Sequence, residues 1–228
     1  MLFRSLSRGL DINSKDRFGD TPLIFAAASG KSEAVDYLLD NGADFFAKGK
    51  LGRSGLHAAS QSGSVATIET MLSRGLGIDA KDRNGDTPLI IAAVCGKSEA
   101  FNYLFHKGAD PWVRGNFGRN LLHAASAGGN VTIIKTVFSL DKDINSKDGD
   151  GNTALIIAAL SGNCEAFHYL LENNADPTVT GWLGWDARHA ALQGGNDAII
   201  KTVMSLHSDS AGAAVSTVPK TEGEYEPT

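Results

Sequence analysis

GDTPLIIAAVCG, residues 85–96, sets a glycine, a Thr-Pro, a short apolar run and a second glycine in close succession. The first glycine belongs to a ladder of Gly19, Gly52, Gly85, Gly118, Gly151 and Gly184, the second to one of Gly30, Gly63, Gly96, Gly129, Gly162 and Gly195, and every step in both is 33 residues. Self-similarity at such a period marks a repeat array, in which each unit packs mainly on its neighbours. The 228 residues therefore read as one elongated body of stacked units.

Within the unit that contains this stretch, Leu89, Ala92 and Ala93 fall at i, i+3 and i+4, and Phe101, Leu104 and Phe105 do the same. Each unit thus reads as two short amphipathic helices. Pro88 suits the first turn of a helix, where the missing N–H has no partner to lose, and Gly96 suits the turn after it. Segments such as 108–118, GADPWVRGNFG, carry the Gly, Asp and Pro of turns.

Six full units start near Asp16, Gly49, Asp82, Gly115, Asp148 and Gly181 and occupy residues 16–208. Residues 1–15 are expected to be an N-terminal half repeat, since LSRGL at 6–10 recurs at 72–76 and DINSKD at 11–16 recurs at 143–148. Residues 209–228 are rich in Ser, Ala, Gly, Pro and Glu, too poor in apolar groups to fold, and are expected to form a disordered acidic tail. A longer period is also present. Odd units read DTPLIFAA, DTPLIIAA and NTALIIAA, whereas even units read GLHAAS, LLHAAS and ARHAAL, so the unit of duplication is 66 residues and two kinds of inter-repeat interface should alternate.

A net charge of -5 and 42% apolar residues describe a soluble protein that is not basic enough for nucleic acid to be the expected partner. Cys95 and Cys164 form neither a CxxC nor a Cys/His cluster, so no disulfide framework, metal site or cofactor is expected, and the dispersed thiols fit a reducing, cytoplasmic setting. The apolar runs fall far short of the roughly 20 residues that span a bilayer, so membrane insertion is not expected.

The Asp, Gly, Thr-Pro-Leu, Ala-Ala, Gly and Gly-Ala-Asp of the first unit (Asp16, Gly19, Thr21, Pro22, Leu23, Ala26, Ala27, Gly30, Gly42, Ala43 and Asp44) resemble the signature of ankyrin repeats. The signature's histidine stands at His57, His123 and His189 in the even units. The resemblance implies an all-α solenoid of helix-turn-helix units with short β-hairpin fingers, and a concave face made of fingers and first helices. It also implies that these histidines bond neighbouring backbone. At 66-residue spacing they stand two units apart and cannot converge on one substrate atom, so catalysis is not expected.

Function is then sought at positions the repeat does not specify. By resemblance these are the finger residues Arg17, Phe18, Asp20, Lys50, Leu51, Arg53, Arg83, Asn84, Asp86, Asn116, Phe117, Arg119, Asp150, Trp182 and Trp185. Odd fingers carry Asp20 and Asp86 and even fingers Arg53 and Arg119, so alternating acidic and basic stripes are expected to set charge register, with Phe18, Leu51 and Phe117 as anchors. The expectation is a monomeric, non-catalytic module or scaffold that binds a partner protein. The alternative is a regulatory or targeting segment of a larger enzyme, channel or effector.

Overall fold

A computed structural model describes residues 11–213, with side chains described through residue 206. Most of the expected half repeat, residues 1–10, and residues 214–228 of the expected tail lie outside the described residues. Twelve α-helices follow in pairs, one pair per unit: α1 (Pro22–Ala28) and α2 (Ser32–Asp40), α3 (Gly55–Ser62) and α4 (Val65–Ser73), α5 (Pro88–Val94) and α6 (Ser98–His106), α7 (Leu121–Gly128) and α8 (Val131–Leu140), α9 (Ala154–Leu160) and α10 (Cys164–Glu172), α11 (Ala187–Gly194) and α12 (Asp197–Ala213). The last helix runs beyond residue 208, where composition placed the start of the tail.

Local chemistry explains the helix ends. Thr21, Thr87 and Thr153 cap α1, α5 and α9, each hydroxyl accepting the amide of Ile24, Ile90 or Ile156 at 3.4 Å. Pro22 and Pro88 fill the first turn, where no N–H is needed. At the other end Gly63, Gly129 and Gly195 take the left-handed conformation that closes α3, α7 and α11.

Packing repeats with the sequence. Leu23, Leu56, Leu89, Leu122 and Leu155 form a buried column on the first helices, and Val35, Ile68, Phe101, Ile134 and Phe167 form another on the second. Each such side chain contributes about 1.5–3 kcal/mol by leaving water. The sixth unit breaks the first column, for Arg188 takes the place of leucine and is exposed. Asn130, Asn163 and Asn196, ahead of the second helices, donate to the carbonyls of Gly96, Ala127 and Gly162 at 3.0, 2.8 and 3.0 Å, tying each turn to the one before. Gly128 and Gly194 allow that approach, since a Cβ on either would overlap the Ala93 or Ala159 carbonyl.

The expected fingers are present as tight loops rather than β-hairpins, and among the described residues no strand forms. Each is closed by one backbone bond across five residues, as from Gly49 N–H to the Arg53 carbonyl at 2.9 Å and from Asp82 N–H to the Asp86 carbonyl at 3.0 Å. A ladder needs a second bonded pair, and in the odd units the next residue outward is already committed to capping a helix.

Candidate functional site

Two kinds of finger alternate, and the first residue decides which kind forms. In odd units that residue is Asp16, Asp82 or Asp148, whose Oδ1 accepts the amides two and four residues on: Phe18 and Asp20 at 2.8 and 2.9 Å, Asn84 and Asp86 at 2.8 and 3.1 Å, Asp150 and Asn152 at 3.0 and 2.8 Å. In even units it is Gly49, Gly115 or Gly181, which has no carboxylate to organise the loop. There the third residue turns left-handed, with φ of 57° at Leu51, 55° at Phe117 and 57° at Leu183. A side chain other than glycine in that region costs roughly 1–2 kcal/mol.

The two interfaces between units differ accordingly. Going from odd to even, Oδ1 of Asp20, Asp86 and Asn152 accepts the amide of Lys50, Asn116 and Trp182 at 2.8, 2.8 and 3.1 Å. These oxygens occupy the space a Cβ would need at Gly49, Gly115 and Gly181, which is why the even fingers begin with glycine. Going from even to odd, Arg53 Nε meets Asp82 Oδ2 at 3.1 Å and Arg119 Nε meets Asp148 Oδ2 at 3.3 Å, with both aspartate side chains fully buried. His57 Nε2 donates to the Asp86 carbonyl at 3.1 Å and His123 Nε2 to the Asn152 carbonyl at 3.0 Å. Burial holds both imidazoles below their ordinary pKa and raises that of Asp86, despite the amide it accepts from Asn116. His189 is exposed and pairs instead with Asp186 at 2.6 Å.

This arrangement corrects the expected charge stripes. Asp86 is buried and both Asp20 and Asp86 point an oxygen at the next finger's amide, so they stack units rather than present a free acidic face. Arg53 and Arg119 are turned toward buried carboxylates and keep only partial exposure. Sequence reasoning missed this because Asp82 and Asp148 read as signature residues, and the 29-residue separation of each pair was the signal available.

The other predicted residues divide plainly. Arg17, Phe18, Lys50, Leu51, Arg83, Phe117, Asp150 and Trp182 are exposed, whereas Asn84, Asn116 and Trp185 are half-buried. Phe18 lies under two cations, with Arg17 at 4.6 Å and Lys50 at 5.3 Å from its ring centre. Arg119 stands 5.6 Å from the ring of Phe117. A cleft of about 240 Å³ opens between the first two units, lined by Lys50, Leu51, Arg53 and Gln61 among others. Four units on, the equivalent cleft has Trp182 and Trp185 in place of Lys50 and Arg53, draws in Phe117, Arg119 and Asp150, and reaches about 610 Å³. The two indoles meet edge to face at 6.1 Å. The basic series Lys15, Lys48, Lys81, Arg114 and Lys147 lies exposed along the bases of the fingers. Among the described residues no helix is long and apolar enough to cross a membrane.

A family model described as ankyrin repeats in three copies matches residues 1–82, 46–115 and 111–181. Among similar proteins, human transient receptor potential cation channel subfamily A member 1 is 34% identical over 108 residues, 46% of this chain and 10% of that one. Palmitoyltransferase AKR1 of Lachancea kluyveri is 33% identical over 84 residues, 36% of this chain and 11% of that one. Notch-regulated ankyrin repeat-containing protein A of Danio rerio is 28% identical over 82 residues, 36% of this chain and 73% of that one. The aligned part thus spans about a tenth of the channel and of the palmitoyltransferase.

Proposed function

The chain belongs to the ankyrin-repeat family, and from that premise we propose that it is a non-catalytic protein-binding module whose fingers and first helices hold a segment of a partner protein. The observation that carries this reading is the placement of Leu51, Phe117 and Leu183. Each is a large apolar side chain, exposed, on a residue in the left-handed region, where an asparagine or glycine would fit with less strain. Stability alone does not favour that choice, and strained, exposed apolar groups are the material of contact sites. The stacked units order the surface on folding, so binding requires little further immobilisation.

In this reading the module works as a cytoplasmic monomer and recognises neither nucleic acid nor membrane. A second reading, a regulatory or targeting segment of a larger enzyme or channel, is favoured by the similarity to short stretches of a channel and a palmitoyltransferase.

Cross-linking and mass spectrometry in native extract, comparing the parent with a Phe18→Ala/Phe117→Ala variant, tests the module. The variant should lose specific cross-links at an unchanged melting temperature. A lowered melting temperature with cross-links intact would make both phenylalanines packing residues.

A further inference from the structure

We propose that the cleft formed by the fourth, fifth and sixth fingers is a subsite for an arginine side chain carried by the partner segment; this deepens the protein-binding reading and rests on it. Phe117 on the fourth finger and Trp182 with Trp185 on the sixth stand on either side of Asp150 on the fifth. The face of an aromatic ring attracts a cation, and tryptophan does so best. Arg119 already lies over Phe117, but among the described residues no cation lies over either indole.

The charges decide the sign of the ligand. Arg119 is matched by Asp148 at 3.3 Å. Asp150 is exposed and, among the described residues, joins no ion pair, while its backbone is held by the hydrogen bond its N–H donates to Asp148 Oδ1 at 3.0 Å. The uncompensated charge at the cleft is therefore negative, set between aromatic walls on an anchored loop. Ile156 and Leu160 provide an apolar floor for the methylene stem of a long cationic side chain.

Arginine fits this combination better than lysine. Its planar guanidinium stacks on an aromatic face and grips a carboxylate with two parallel bonds, whereas an ammonium is compact and strongly hydrated. The equivalent cleft at the other end of the groove has Lys50 and Arg53 where the tryptophans stand, and so lacks the indole faces; its Arg53 is matched by Asp82, and its Lys50 already lies over the ring of Phe18. Only the far end of the groove thus sets a carboxylate between open indole faces, which would seat a partner segment in one direction.

The test uses the full chain labelled with ¹⁵N at tryptophan, whose three indoles are Trp112, Trp182 and Trp185. The probes are acetylated, amidated Gly-Gly-X-Gly-Gly peptides in which X is arginine, lysine, norleucine or citrulline, the last being the uncharged near-isostere of arginine. The arginine peptide should move the Trp182 and Trp185 indole signals and leave that of Trp112 in place. Citrulline for arginine, and Asp150→Asn in the protein, should each weaken binding about tenfold, with lysine in between. Norleucine or citrulline binding as tightly as arginine would overturn the proposal and make the cleft an apolar anchor site, leaving the protein-binding reading in place. No response to the arginine peptide at about 10 mM, an affinity weaker than roughly 3 kcal/mol, would also overturn it. Loss of the wider reading is a separate result, namely cross-links that survive the Phe18→Ala/Phe117→Ala substitution.

Discussion

Replacing Gly115 by alanine isolates the odd-to-even interface. Gly115 has φ of -95° and ψ of -146°, outside the regions that a residue with a Cβ prefers, so alanine adds some backbone strain to the interface loss, and an Asp86→Ala background separates the two. The added Cβ would overlap Asp86 Oδ1 and come within 3.0 Å of Ile90 Cδ1. The carboxylate must move, and with it goes the 2.8 Å bond to the Asn116 amide. Losing a charge-assisted bond inside a packed interface costs about 2–3 kcal/mol, against a gain of about 0.4–1 kcal/mol from restricting the unfolded chain. The net loss is about 2 kcal/mol, or roughly 4–8 °C in melting temperature for a chain of this size. Urea and thermal unfolding followed by circular dichroism at 222 nm measure it. Two further variants sharpen the test. Gly77→Ala, where nothing lies within 4 Å of the new methyl, should be neutral or slightly stabilising. Asp86→Ala combined with Gly115→Ala should cost less than the two single losses added together, since the clash is gone once the carboxylate is. A Gly115→Ala protein as stable as the parent would refute the account of why even fingers begin with glycine.

Phe117→Asn should raise stability by about 1 kcal/mol through relief of the left-handed strain, partly offset by the lost contact with Arg119. It should also reduce partner cross-linking, and a destabilised variant in urea titration would show that Phe117 is held by packing. Acid should weaken the fold through His57 and His123. Both are held neutral, below the 6.5 of the unfolded chain, so their contribution is complete above about pH 6.5. It is lost as pH falls through their depressed folded values. Asp86, raised above its ordinary 3.8, works in the opposite sense at lower pH, because the folded state takes up its proton first. Denaturation at a series of pH values, with a His57→Gln/His123→Gln variant for comparison, should show the parent's loss below pH 6.5 flattened in the variant. Equal slopes would contradict the assignment.

The period, the helix pairs and their ends could be read from the chain because they depend on neighbours within one turn or one unit. Thr87-Pro88 and Gly96 act within a few residues, and the 66-residue pattern announced two interfaces. Phe18, Leu51, Phe117 and Trp182 stood out in the chain as apolar groups that no periodicity claimed, but only the stacked fingers show that they stay exposed rather than fold back. The partners of the charges were not. Asp20, Asp86, Arg53 and Arg119 look alike as finger residues, and only stacking shows that the aspartates end on amides 30 residues ahead and the arginines on buried carboxylates 29 residues ahead. The left-handed turns at Leu51, Phe117 and Leu183 lay equally out of reach, because glycine for aspartate two residues earlier removes the loop's organiser without stating what conformation replaces it. Local sequence chooses the elements, but the destination of a carboxylate depends on which donors the next unit brings within 3 Å.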